Sequence, residues 1–173
     1  SECIVCKNNK KFKDKFEILK QCLKCKHVFA DINLSKNEID KIYSNDYFFG
    51  KEYINYINDK KQIIKNSLIR MKEIRKYIIN FRIKNIFEIG CAYGFFLNTV
   101  RDNFNEISGV DVNKDAINYA KNRYKLNVTN HDFLKLKNKD INNFNIYCMF
   151  DVIEHLNNPD EYIKKINENS PDE

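Results

Sequence analysis

The sequence is poor in glycine and proline, with four and two residues among 173, and it has no tryptophan. No apolar run approaches the roughly 20 residues that a membrane-spanning helix needs. The N-terminus lacks the apolar core of a secretory signal, so the expectation is a cytoplasmic protein with no membrane span. Two nucleotide motifs are also missing. A GxGxxG fingerprint would require glycine or a near substitute at 90, 92 and 95, and position 95 is Phe; no Gly-Lys pair followed by Ser or Thr offers a phosphate loop. A clustered basic surface is lacking too. The +6 formal charge comes from lysines interleaved with Asn, Ile, Asp and Glu, which reads as solvated faces, so nucleic acid is not the expected partner.

What is present suits one ordinary core with a small module beside it: 43% of residues are hydrophobic and 31% charged. The module announces itself at Cys3, Cys6, Cys22 and Cys25. Each CxxC turn sets two thiolates on one side of a tight knuckle, and two knuckles supply the four sulfurs that tetrahedral zinc prefers. The intervening KNNKKFKDKFEILKQ is too short and polar to build a core, so structural Zn2+ would be the core of a zinc ribbon over 1–30. A disulfide pair and a redox CxxC are the competing readings. His27 could substitute as a ligand, but four cysteines suffice. Cys91 and Cys148 fall in apolar segments as buried thiols.

Residues 31–82 read as a helical, aromatic-rich cap. Tyr47, Phe49, Tyr53 and Tyr56 concentrate rings in NDYFFGKEYINYINDK. Ile63, Ile64, Leu68, Met71, Ile74, Tyr77 and Ile78 predict an amphipathic helix over 60–81. From 83 to 173, strands alternate with helices: KNIFEIG, EISGVDV, LNVTNHDF and a strand within 144–156, with FFLNTVRDNF and NKDAINYAKNRY between them. Alternation of this kind gives right-handed crossovers, and the fold class is α/β with a Rossmann-like parallel sheet.

Ligands of such sheets sit beyond the carboxyl ends of the strands, where the strand order reverses. Two of the four glycines, Gly90 and Gly94, fall in the loop after the first of these strands, where a Cβ would block the ligand's approach or the turn. Glu88 precedes that loop and can accept from a bound cation or a water. Asp111 ends the second strand, where an acid can take both hydroxyls of a ribose. The site asks for a nucleoside.

Glu88, Gly90, Ala92 and Gly94 fit an E/DxGxGxG pattern with alanine in the middle glycine slot, which is tolerable if φ there is below zero. This resembles the first motif of the class I S-adenosylmethionine-dependent methyltransferases. With YFFGKEYINY, ISGVDVNKDAINYA and FDVIEHLNNPDEYIKKI, the chain is most similar to zinc-ribbon-bearing members associated with polysaccharide synthesis. The resemblance implies that Gly90, Cys91, Ala92 and Gly94 pass under the methionine part of S-adenosyl-L-methionine and that Asp111 binds the ribose. It further implies that Val112 packs on the adenine, that Asp132 and Phe133 hold its edge and face, and that Phe150 and Asp151 lie beside the methyl group.

If the acceptor is a hydroxyl, a base must take its proton. His155 is the candidate, with Glu154 to orient it; His155 as a helix cap, or the pair as cation ligands, are the alternatives. Enzymes of this superfamily that methylate base amines carry (N/D)PP(Y/F) where this chain reads FDVIEH, which disfavours base N-methylation. Tyr47, Phe49, Tyr53 and Tyr56 would frame a pocket for a small-molecule or glycan acceptor. The resemblance also implies seven strands where four are legible, so the chain reads as C-terminally truncated, or as having its fourth strand's edge covered by a homo- or hetero-oligomeric partner. A cofactor-binding scaffold without turnover and an RNA-binding or RNA-modifying protein are the alternative functions.

Overall fold

The structure is a computed structural model and describes residues 2–32, 57, 59–78, 84–156 and 158–171. The chain divides into two compact units, Ser1–Tyr56 and Ile57–Glu173. The aromatic residues Tyr47, Phe49, Tyr53 and Tyr56 lie outside the described residues.

In the first unit, β1 (Phe12–Phe16), β2 (Leu19–Cys22) and β3 (Val28–Ala30) form an antiparallel sheet in the order β1-β2-β3. Among the described residues its apolar side chains form no core: Phe16 and Ile18 are exposed, while Cys3 and Cys22 are fully buried. The two CxxC knuckles are copies of one another. Lys7 N–H donates to the Cys3 carbonyl and Lys26 N–H to the Cys22 carbonyl, each at 2.8 Å. Both lysines are left-handed, with φ of 54° and 66°.

The second unit is built on four parallel strands, β4 (Asn85–Ile89), β5 (Glu106–Asp111), β6 (Val128–Asn130) and β7 (Ile146–Cys148), in the order β6-β5-β4-β7. The chain moves outward from β4 through β5 to β6 and then returns to β4's other side. The switch point is therefore between β4 and β7. Helices α1 (Lys60–Arg75), α2 (Phe95–Val100), α3 (Lys114–Tyr124) and α4 (Pro159–Asn169) complete the unit. Alternation along the strands separates two cores. Ile86 and Cys148 face Met71 of α1, Phe96 and Leu97 of α2 and Ile117 of α3; Phe87, Ile89 and Val110 face Phe133, Phe144 and α4's Tyr162 and Ile166. The α/β sheet expected from the sequence is thus found, with each strand shorter than its apolar run.

Helix α1, grouped with the cap in the sequence, packs on α2 in the sheet-bearing unit. Its inward face runs Ile63, Ser67, Arg70, Met71 and Ile74, whereas Leu68 and Tyr77 of the expected stripe are exposed. Ser67 takes the central place because it is small and its hydroxyl donates back to the Ile63 carbonyl at 2.8 Å, so no polar atom is stranded. Among the described residues, no helix is long and apolar enough to cross a membrane.

Candidate cofactor site

The loop leaving β4 is folded by its own backbone. Gly90 and Cys91 N–H both donate to the Val110 carbonyl, at 2.8 and 3.0 Å, and Gly94 N–H donates to the Cys91 carbonyl at 2.8 Å. Gly90, Ala92 and Gly94 are all left-handed, with φ of 76°, 43° and 72°. Alternate residues thus turn the same way, which an E/DxGxGxG pattern allows. Ala92 does not meet the condition of a negative φ under which alanine would be tolerated there. It is held in this conformation because its N–H donates to Asp111 Oδ2 at 2.8 Å, while Asn113 N–H donates to Oδ1 at 2.8 Å. Asp111 therefore ties the first loop to the second strand's end.

The glycines serve the turn, as expected, and packing as well. A Cβ on Gly90 would lie 2.3 Å from Val152 Cγ2, and one on Gly94 2.4 Å from Leu126 Cδ1. The protein's own side chains fill those places. Gly109, which the sequence did not single out, sits where a Cβ would come 2.7 Å from the Glu88 carbonyl oxygen. The β4–β5 contact depends on it.

Glu88 is 4% exposed and its Oε2 has no hydrogen-bond partner. Burial pushes its carboxyl up to about 8, opposed by the Arg70 guanidinium and reinforced by Asp111. A buried carboxylate oxygen without a donor is costly unless something completes it. An ammonium group would do so.

Beyond β7, the Phe150 ring packs edge-on against Phe96 at 4.8 Å, and the Arg70 guanidinium lies over it at 4.4 Å. Arg70 Nη2 also donates to Asp151 Oδ2 at 2.6 Å. Asp151 is exposed and left-handed, with φ of 56°, an uncommon conformation outside glycine that concentrates at functional sites. Arg70 is the candidate site residue that sequence reasoning missed, because it arrives from a helix that precedes the motifs and carries no motif itself. His155 and Glu154 follow in a short 3-10 turn, Ile153–His155, with exposed side chains.

The remaining expected contacts divide. Val112 is 69% exposed at the end of β5 and open to stack on a ring. Asp132 caps the turn after β6 by accepting from Leu134 N–H at 2.9 Å. The Phe133 ring does not present a face outward: it is 2% exposed, stacked on Tyr162 and packed against Phe87. Its apolar ring is worth more in the core than at a site edge. Cys91 is buried, and burial holds its thiol well above the usual range. It faces α2 rather than a ligand.

In the ribbon, the sulfurs of Cys3, Cys6, Cys22 and Cys25 all lie within 4.8 Å of one another. Zinc–sulfur bonds of about 2.3 Å in a tetrahedron put the sulfurs about 3.8 Å apart, and the Cys3–Cys25 and Cys6–Cys22 pairs, each at 3.5 Å, lie near that spacing. Asn8 Nδ2 donates to Cys22 Sγ at 3.4 Å, a bond suited to a thiolate. His27 stacks on Phe29 and is not part of this cluster.

Comparison with known proteins agrees with this geometry. Residues 87–169 match the family model described as a methyltransferase domain. The ubiquinone biosynthesis O-methyltransferase of Coxiella burnetii is 23% identical over 141 residues, a match covering 79% of this chain and 58% of that protein. Among solved structures, the plantazolicin methyltransferase in complex with SAH superposes with a TM-score of 0.58 at 15% identity, covering 77% of this chain and 52% of that one. The Haemonchus contortus phosphoethanolamine N-methyltransferase 2, in complex with S-adenosyl-L-methionine, gives 0.51 at 16% identity, covering 83% and 35%. The chain thus spans little more than half the length of the curated relative. Residues 87–169 thus match a methyltransferase domain, and the sheet-bearing unit shares its fold with solved methyltransferases.

Proposed function

We propose that the protein is an S-adenosylmethionine-dependent methyltransferase acting on the oxygen or carbon of a small, sugar-like or glycan acceptor, with a ribbon held by structural zinc. The observation that carries the cofactor reading is the buried Glu88 Oε2 without a partner, beneath a loop pinned by Asp111. Glu88 would meet the methionine ammonium, and Arg70, already pairing with Asp151, would exchange that partner for the methionine carboxylate. Asp111 keeps lone pairs beyond its two backbone bonds for the ribose hydroxyls, and exposed Val112 would carry the adenine. The sulfonium supplies an electrophilic methyl group. The chain's part is to align the acceptor with it and to take the acceptor's proton at His155, oriented by Glu154.

Oxygen as acceptor atom is favoured by likeness to an O-methyltransferase. The sugar-like class rests on the rings of Tyr47, Phe49, Tyr53 and Tyr56. We read the cysteines as four zinc ligands and two buried thiols, a usage that suits a reducing, cytoplasmic setting. Among the described residues β7 pairs only with β4, and we read its other edge as a place for a further strand or a partner chain. The test is transfer of an isotopically labelled methyl group from the cofactor to hydroxylated acceptors by the zinc-replete chain. Transfer lost in His155→Ala with cofactor affinity kept supports the reading; label accepted only by amines contradicts it.

A further inference from the structure

Helix α4 grips the turn after β6 through two side chains that the function above leaves unused. Lys165 Nζ donates to the Leu134 carbonyl at 2.8 Å and to the Leu136 carbonyl at 2.6 Å, spanning the turn Phe133–Lys135. One helical turn earlier, the Tyr162 ring stacks on Phe133 with centroids 5.7 Å apart, and its hydroxyl donates to Asp132 Oδ1 at 3.2 Å. Leu134 N–H donates to the same oxygen at 2.9 Å. Both bonds fall on Oδ1, so the carboxylate plane is fixed with Oδ2 as the acceptor offered to a ligand.

We propose that Tyr162 and Lys165 are positioning residues that make the cofactor site selective for a 6-amino purine. The inference rests on the cofactor reading above and on Asp132 meeting the base. An ionised carboxylate only accepts, so it takes the exocyclic N–H of adenine and opposes a 6-oxo purine, which presents an acceptor there. That discrimination requires a carboxylate that cannot swing. Tyr162 fixes its rotation, and Lys165 fixes the backbone that carries it.

The test is calorimetric titration of the full chain with S-adenosylhomocysteine and with its 6-oxo counterpart, S-inosylhomocysteine. Wild type is expected to prefer the amino ligand. Tyr162→Phe, which removes one oxygen atom from a ring that stays stacked, should narrow the preference by about tenfold, the order of one hydrogen bond to a charged group. Lys165→Met should narrow it likewise, and Lys165→Arg should restore it. An unchanged preference in Tyr162→Phe, or equal weakening of both ligands, overturns the positioning role while leaving the cofactor reading in place. Failure of folded wild type to bind either ligand overturns the cofactor reading, and this inference with it.

Discussion

Ala92 donates its backbone N–H to Asp111 Oδ2 at 2.8 Å while holding a left-handed φ of 43°. The bond selects a conformation that alanine disfavours by about 1–2 kcal/mol. Ala92→Gly should therefore stabilise the chain by about 0.5–1 kcal/mol, the strain relieved being partly offset by a freer unfolded state. Asp111→Asn should destabilise it by about 1–3 kcal/mol, because an amide N–H2 would then face a backbone N–H. Urea denaturation checks both signs.

Gly90 is a packing glycine as well as a turn glycine. Gly90→Ala should cost about 1–3 kcal/mol for the collision with Val152 on top of the left-handed penalty. Adding Val152→Ala should recover the collision but not the penalty. A double-mutant cycle showing no coupling would contradict this assignment.

The buried carboxyl of Glu88 makes stability depend on pH. Its folded pKa of about 8 lies above the ordinary value of 4.5, so the folded chain binds the extra proton between them. Stability should fall as pH rises from about 4.5 to about 8 and then level off. Arg70 and Asp111 act on this group with opposite signs, so Arg70→Met should push its pKa higher still. Chemical denaturation across this range should show a flatter profile in Glu88→Gln. The same proton predicts that cofactor binding at neutral pH releases it, seen as heats that differ between buffers of different ionisation enthalpy.

Metal removal should unfold the first unit and leave the second folded. The chain should carry one zinc, and a thiol-directed mercurial should release it. Amide protection should then be lost in β1, β2 and β3 while β4 to β7 keep theirs, because among its described residues the ribbon buries only Cys3 and Cys22. Cys22→Ser should do the same without the reagent.

The strands and the four-cysteine knuckles were legible because they are local: apolar runs, a glycine loop and short spacings. What escaped depends on residues distant in sequence. Nothing near Arg70 points to Asp151, 81 positions away. The place of Val152 above Gly90 follows from how β7 lies beside β4. The sign of φ at Ala92 is set by a carboxylate at the end of another strand. Phe133 was expected beside Asp132 at the site by resemblance, yet its ring turns into the core on the α4 side. Leu68 was expected inward by spacing alone, and the crossing of α1 on α2 gave that place to Ser67.

The most direct measurement is titration of the folded, zinc-replete chain with S-adenosylhomocysteine, with NADH as a control and Asp111→Ala beside wild type. The account predicts saturable binding of the first ligand, none of the second, and loss of binding in the variant. Absence of saturable binding by wild type whose fold is intact by circular dichroism, or equal binding of NADH, would contradict it.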